Sequence, residues 1–319
     1  MGLALFILRR LLWLIPVLFF VILITFTLAH LTPGSPWDRE GRQLPENVIR
    51  NLNEKYGLDL PIWQQFALYV WRVVHFDFGE SLQHSGQDVG TLLAQSWPYT
   101  FALGSASFLF IVPVSIGLGV IAALRQNTWL DYLTVGLGTL GASVPNFVFG
   151  LALIIGLSVE MNRLTEGTFF LPTGGLSFDE TLPQHLVMPV LAISLLPIAF
   201  LARLTRSSTL EALRQDFVRT AWAKGLRERL VVVKHVLKNS LIPVVTALGP
   251  LFAFLVTGSF VIESVFSIPG IGRSFVQAVS SRDYPMILGT TILYALLVAI
   301  ANLIVDVTYT FIDPRVRIS

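Results

Sequence analysis

Residues 101–124 read FALGSASFLFIVPVSIGLGVIAAL, 24 residues without a charge. A helix of about 20 apolar residues crosses the hydrocarbon core of a bilayer, so this run is read as a membrane span. Leu133–Val159 follows, also uncharged, and four further runs qualify: Leu11–Leu31, Leu186–Ala202, Leu241–Ile262 and Met286–Ile312, the last interrupted only by Asp306. Pro16, Pro113, Pro145, Pro197 and Pro250 fall inside these runs. Such residues are tolerated where neighbouring helices satisfy the freed backbone groups, which favours packed helices over isolated anchors. Composition agrees. Of 319 residues 54% are hydrophobic and 13% charged, against about 25% charged in a soluble domain. The expected fold is an all-α integral membrane protein with six transmembrane helices. There is no cysteine, and the five histidines show no metal-ligand spacing. Disulfides, thiolate nucleophiles and cysteine-ligated metals are excluded, and no metal site is expected; nothing resembles a nucleophile–base pair, so no catalysis by this chain is expected.

Charge sets an orientation. Six spans with the N-terminus inside make 125–132, 203–240 and 313–319 internal. Together with Arg9 and Arg10, these segments hold 14 of the 22 Lys and Arg but only 5 of the 20 Asp and Glu. That asymmetry follows the positive-inside rule and places both termini in the cytoplasm. Arg9 and Arg10 before an apolar run resemble a signal peptide, but the run is long and lacks a small-residue cleavage site; it is read as a retained helix. The organisation expected is 1–31 as tail and first span, 32–98 external, 99–312 as the main transmembrane domain with an internal loop over 206–240, and 313–319 as a cytoplasmic tail.

In the external segment two short amphipathic helices are predicted. Pro45–Tyr56 places Val48, Ile49, Leu52 and Tyr56 on one face, with Gly57 as the stop; Pro61–His75 places Trp63, Phe66, Tyr69, Val70 and Val73 on one side. They suit either an interfacial position on the membrane or a docking surface for an external partner.

The internal stretch RLTRSSTLEALRQDFVRTAWAKGLRERLVVVKHVLKNS, 203–240, is more specific. It predicts helix to Lys224, a break at Gly225 and a second helix from Glu228. Helix continuous from the fourth span to Gly225 would project on the order of 30 Å. A solvated basic loop explains the charges, but not Thr220, Ala221 and Ala223 before a glycine, nor an apolar face of Leu230, Val233 and Val236. A helix–glycine–helix of this kind suits a groove on another protein.

At this point the chain resembles the permease subunits of bacterial ATP-binding-cassette importers. Their cytoplasmic motif runs Glu-Ala-Ala, three residues, then Gly; Arg219-Thr220-Ala221, Trp222-Ala223-Lys224 and Gly225 occupy that frame. The departures are similar to the peptide/nickel branch, which Phe217–Pro243 follows nearly throughout. Six further blocks agree in order: the first span through Ser35, where Asp is common; Tyr56–Asp59; Asp77–Leu82; Glu263–Gly272; Arg282–Pro285; and Asn302–Asp306 with Asp313-Pro314-Arg315. The order resembles the first of the two permeases of dipeptide and oligopeptide systems.

The resemblance implies a second permease, two ATPase subunits and an external substrate-binding protein, in the bacterial inner membrane. No G-x-x-x-x-G-K-[ST] occurs in the chain, so ATP and Mg are expected on partner subunits, with no cofactor bound here. Arg219, Thr220, Ala221, Ala223, Lys224 and Gly225 are the expected coupling residues. In this reading Gly225 permits a special backbone geometry, Ala221 and Ala223 permit close approach, and Arg219 and Lys224 pair with acidic groups. Asp306, inside the sixth span, is expected in a structural or gating ion pair with Arg203 or Arg206, or as a proton or substrate site. Glu263, Pro269, Gly270 and Gly272 are read as a tight connection into a short helix, or as a binding-protein contact or outer gate. A secondary transporter needs midplane ionisable residues and internal repeats; only the off-centre Asp306 is available, and no repeat is visible. A non-transporting scaffold leaves the prolines unexplained. Dipeptides or oligopeptides are the expected cargo, with nickel chelates or glutathione as alternatives within the branch.

Overall fold

The structure is a computed structural model describing residues 3–32, 34, 36–37, 45–84, 86–178 and 182–312, with backbone alone for 3–4, 142, 306 and 308–312. Ser35, Asp313–Arg315 and the tail 313–319 therefore lie outside the described residues. The described chain is helical, without a β-sheet: α1 (Leu3–Leu31), α2 (Glu46–Tyr56), α3 (Ile62–Val74), α4 (Val89–Leu124), α5 (Trp129–Ser143), α6 (Asn146–Leu153), α7 (Met161–Leu164), α8 (Leu182–Leu213), α9 (Asp216–Ala223), α10 (Glu228–Leu230), α11 (Leu237–Ser240), α12 (Ile242–Thr257), α13 (Phe260–Val265), α14 (Ile271–Ser280) and α15 (Tyr284–Ile312). Two π-helical stretches, Ile154–Glu160 and Val231–Val236, link α6 to α7 and α10 to α11.

Among the described residues six stretches are long and apolar enough to span: Leu5–Leu31, Val89–Leu124, Asn146–Leu164, Leu182–Leu213, Ile242–Val265 and Tyr284–Val305. Four differ from the sequence reading. α4 begins at Val89, twelve residues before the uncharged run, because Val89 and Leu93 carry the apolar pattern outward and are buried. The third span is not one helix. Val144 is extended (φ −97°, ψ 121°) and Pro145 starts α6, since a residue before proline is pushed out of the α region. α8 runs well past Ala202 to Leu213. Within the fifth, Gly258 (φ 96°) ends α12, and Ser259 caps α13 by accepting the Ile262 N–H at 3.3 Å.

The helices form two compact units, residues 1–100 with 269–319, and residues 101–268. The first and last helices belong to one unit because α1 packs along α15. Its buried cluster joins Val89 and Leu93 of α4 to Ile271 and Ala278 of α14 and Met286 of α15. Buried Asp283 fastens the preceding loop. Its carboxylate accepts the Ser81 hydroxyl, the Leu82 and Gln83 N–H groups at 3.1 and 3.3 Å, and the Met286 N–H at 3.3 Å. It thus caps α15 while holding residues 81–83. Gly57 (φ 70°) terminates α2, and His75 caps the C-terminus of α3, close to where the patterning ends it.

In the second unit α8 packs against α5, α6, α12 and α13. Gly104 shows how closely α4 meets α12: a Cβ there would stand 2.3 Å from the Leu255 carbonyl oxygen, so only glycine fits.

Candidate functional site

The internal segment begins where α8 ends. The predicted continuous helix to Lys224 does not form. Arg214 and Gln215 donate to Glu211 and Ala212 at 3.1 and 3.2 Å, the tighter three-residue spacing of a terminating turn, and Gln215 is extended (φ −75°, ψ 150°). The chain folds back as α9, eight residues long, with Asp216 in its first turn, where an acidic group suits the positive end of the helix dipole. α9 stops at Gly225, as expected. Gly225 has φ +73°; its N–H bonds the Trp222 carbonyl at 2.9 Å, and the Leu226 N–H bonds the Ala221 carbonyl at 3.4 Å. This pair of bonds is a Schellman C-cap. A Cβ at Gly225 would meet nothing within 4 Å, so conformation, not space, demands the glycine.

Packing assigns the faces of α9. Val218 and Ala221 are buried with Ala212 of α8 and with Val231 and Val236 of the π-helical stretch, and Leu213 and Leu226 close the cluster. Ala221 therefore serves α9's attachment to its own chain. A helix this short does not persist alone; the seam holds it. Arg219, Thr220, Ala223 and Lys224 are exposed. Arg219 pairs with Asp216 of its own helix at 3.5 Å, and the Thr220 hydroxyl donates to the Asp216 carbonyl at 2.9 Å. At about 100° per residue, Phe217 and Trp222 stand on the two shoulders of the seam, 40% and 46% exposed. Sequence reasoning passed over both, although aromatics beside a basic helix are a signal for contact surfaces.

The second arm also differs. Val231, Val232 and Val236 are buried, while Leu230 and Val233 are exposed. The predicted face of Leu230, Val233 and Val236 assumed 3.6 residues per turn. π-helix widens the turn, rotating Val231 inward and Val233 outward.

Above the segment, Arg206 of α8 has a partner that sequence reasoning missed. Its Nε and Nη2 donate to the two carboxylate oxygens of Asp131 in α5, at 2.5 and 2.7 Å. Asp131 is buried and also accepts the Asn127 N–H at 3.0 Å. The Arg206 hydrogen bonds hold the Asp131 carboxyl below the usual carboxylate range, with burial opposing and the Asn127 N–H and the guanidinium charge assisting. Asp131 was detectable as the sole acid in 125–132, at the same inner level as Arg206. Arg203 Nε donates to the Ala199 carbonyl of its own helix at 3.3 Å. The Asp306 side chain lies outside the described residues.

Glu263 sits in α13 and is fully buried; its carbonyl accepts the Ile268 N–H at 2.8 Å. Pro269 is exposed, Gly270 and Gly272 are buried, and Gly270 precedes α14 directly. The tight connection into a short helix is present. Of this group Pro269 alone is displayed at the surface.

Residues 115–318 match the family described as binding-protein-dependent transport system inner membrane component, and residues 3–104 match the N-terminal family of the same membrane component. A dipeptide transport system permease protein of Bacillus subtilis is 42% identical over 295 residues, 92% of each chain. An oligopeptide transport system permease protein of Salmonella typhimurium is 41% identical over 312 residues, 98% of this chain and 99% of the relative. A crystal structure of an amino acid ABC transporter with histidines shares the fold, with TM-score 0.50 and 13% identity over 68% of this chain and 92% of the other.

Proposed function

The chain belongs to the family of binding-protein-dependent transport system inner membrane components, and from that membership we propose that it forms half of a peptide-conducting pathway driven by separate ATPase subunits. It is a permease subunit, a multi-pass membrane protein that works with other components of an importer. In the proposed assembly it sits in a bacterial inner membrane with both termini in the cytoplasm, beside a second permease of different sequence. Two cassette ATPases hold the ATP and Mg, and an external binding protein delivers dipeptides or oligopeptides. The peptide assignment is supported by near full-length identity of 42% and 41% to permeases named for those cargoes.

The single observation that carries the coupling role is the geometry of α9. A short helix is fixed to its own chain through Val218 and Ala221, stopped by a positive-φ glycine, and left with Arg219, Thr220, Ala223 and Lys224 outward between two half-exposed aromatics. Such an element meets a groove as a rigid knob. Its exposed cations add complementarity rather than large energy.

Purification of a tagged chain in mild detergent, with mass spectrometry of what accompanies it, tests the assembly. A cassette ATPase and a second permease are expected; the chain alone, where other membrane complexes survive, refutes it. ATP-dependent uptake of labelled peptides by the reconstituted complex tests the cargo. Uptake of a nickel chelate or glutathione and of no peptide refutes that part.

A further inference from the structure

Helix α3 has two unlike faces, and one residue of the predicted face lies on the other. Phe66, Tyr69, Val70 and Val73 point inward and are partly buried. The Phe66 ring lies 6.0 Å from Phe19 and 5.3 Å from Phe26 of α1. Gln65 Oε1 accepts from His30 Nε2 at 3.1 Å, while its amide nitrogen donates to the Leu58 and Leu60 carbonyls at 3.2 and 2.7 Å. Trp63, expected among the inward set, instead faces out. Trp63, Ala67, Trp71 and Val74 recur at the spacing of one helical stripe, and all four are exposed, Trp63 at 69% and Trp71 at 65%. Phe76, just past the helix, is 86% exposed. The helix carries one charge, Arg72, which pairs with Asp77 at 4.0 Å.

Depth decides what meets this stripe. Arg9 and Arg10 close one end of α1's apolar run, so a core of about 20 residues ends near Leu31. Phe26 and Phe19 then lie about 8 and 18 Å inside that boundary along the helix. The ring of Phe66 is held between them, so α3 lies beside the apolar length of α1 rather than above it. α1 bears its own exposed stripe, Phe20, Ile24, Leu28 and Leu31, and α3 extends that apolar surface sideways. A helix held beside the apolar length of α1, with two exposed tryptophans and a single charge, presents its stripe to the acyl chains.

We propose that α3 is an interfacial helix embedded in the leaflet around the C-terminal end of α1, its Trp63–Ala67–Trp71–Val74 stripe lying against phospholipid chains. α2 takes no part: its mean composition is polar and Arg50, Asn51 and Glu54 are exposed on it. The segment after the first span is thus divided, α2 in water and α3 in lipid.

The absence of native cysteine makes the test direct. Ala67→Cys, Ile24→Cys on α1 and Asn51→Cys on α2 are each spin-labelled in the assembled complex in lipid nanodiscs, with the unsubstituted chain giving the background from partner thiols. Collision rates with oxygen and with a water-soluble nickel chelate are then compared. At position 67 the oxygen-to-nickel ratio is expected to match position 24 and to exceed position 51 several-fold. A ratio like that of position 51 overturns the proposal. So does an immobilised label reached by neither reagent, which would mean that a protein partner covers the stripe. As a second readout, the Trp63→Phe, Trp71→Phe double variant is expected to reduce tryptophan quenching by brominated lipid; undiminished quenching counts against it.

Discussion

Arg206 and Asp131 form an ion pair whose two ends are buried unequally, and that inequality predicts unequal variants. The Asp131 side chain is 3% exposed and that of Arg206 25%. In Arg206→Ala the carboxylate is stranded where water hardly reaches, with only the Asn127 N–H left. Removing one partner of a buried pair costs about 3–5 kcal/mol; the Asn127 bond sets the expectation at the lower end, about 3 kcal/mol. In Asp131→Asn the amide oxygen still accepts one bond, and the guanidinium reaches water along its own stem. Its loss is expected at about 1–2 kcal/mol. For a chain of this length each kcal/mol moves the melting point by about 2 °C, so the variants separate by a few degrees.

The assay is thermal melting in detergent by size-exclusion fluorescence. The double variant is expected to melt near Asp131→Asn, well above the sum of the two losses, because no stranded charge remains. pH sharpens the test. In the native chain the Asp131 pKa is depressed; its contribution is full above the unfolded pKa near 3.9 and is lost as pH falls through the lower folded value. In Arg206→Ala burial pushes the same pKa upward, so the penalty at neutral pH shrinks as pH falls through that raised value. The gap between native and Arg206→Ala should therefore narrow as pH falls through that raised value. Equal losses in the two single variants, an additive double variant, or a gap that widens on acidification would refute the reasoning.

Substitutions at Gly225 should rank by tolerance of the left-handed region. Asn is expected near native, Ala lower by about 1 kcal/mol, and a β-branched residue lower still; ATP-dependent uptake is expected in the same order, and equal behaviour of Asn and Val would rule out the conformational account. Ala221→Leu is expected to overpack the seam with Val218, Val231 and Val236, at about 1–3 kcal/mol, lowering the melting point. Ala223→Leu faces outward, so normal melting with loss of ATPase stimulation by substrate is expected; full stimulation would exclude this face from coupling.

The six spans were legible because an uncharged run of 20 or more residues has few other homes in a folded chain. Gly225 was legible because glycine before a new apolar pattern marks a C-cap. What escaped followed from geometry that period alone does not carry. The π-helical stretch turned Val231 inward where a 3.6 period pointed to Val233. α8 ended at Leu213 because Val218 and Ala221 gain more by folding back on Ala212 than by continuing a helix into solvent. Asp131 and Arg206 lie 75 residues apart, and nothing local links them. Trp63 sits near enough to both faces of its helix for pattern to place it on either.

The docked position of α9 constrains how force leaves it. Eight residues held by one apolar seam do not yield separately, so displacement of the outer face passes to what the seam contains: the end of α8 and the π-helical stretch leading through α11 to α12. α8 is one continuous helix from Leu182, and Pro189 and Pro197 remove backbone bonds within its span. Below those prolines Arg206 ties it to α5, about 10 Å from Leu213 along the axis. Bending is therefore easier above the ion pair than beneath it. In the proposed coupling, the lower part of α8, α9 and the start of α5 would act as one lever that turns at the prolines. On this reasoning Asp131–Arg206 is needed for transmission rather than insertion, and its variants should lose substrate-stimulated ATP hydrolysis at temperatures where the complex is still fully assembled.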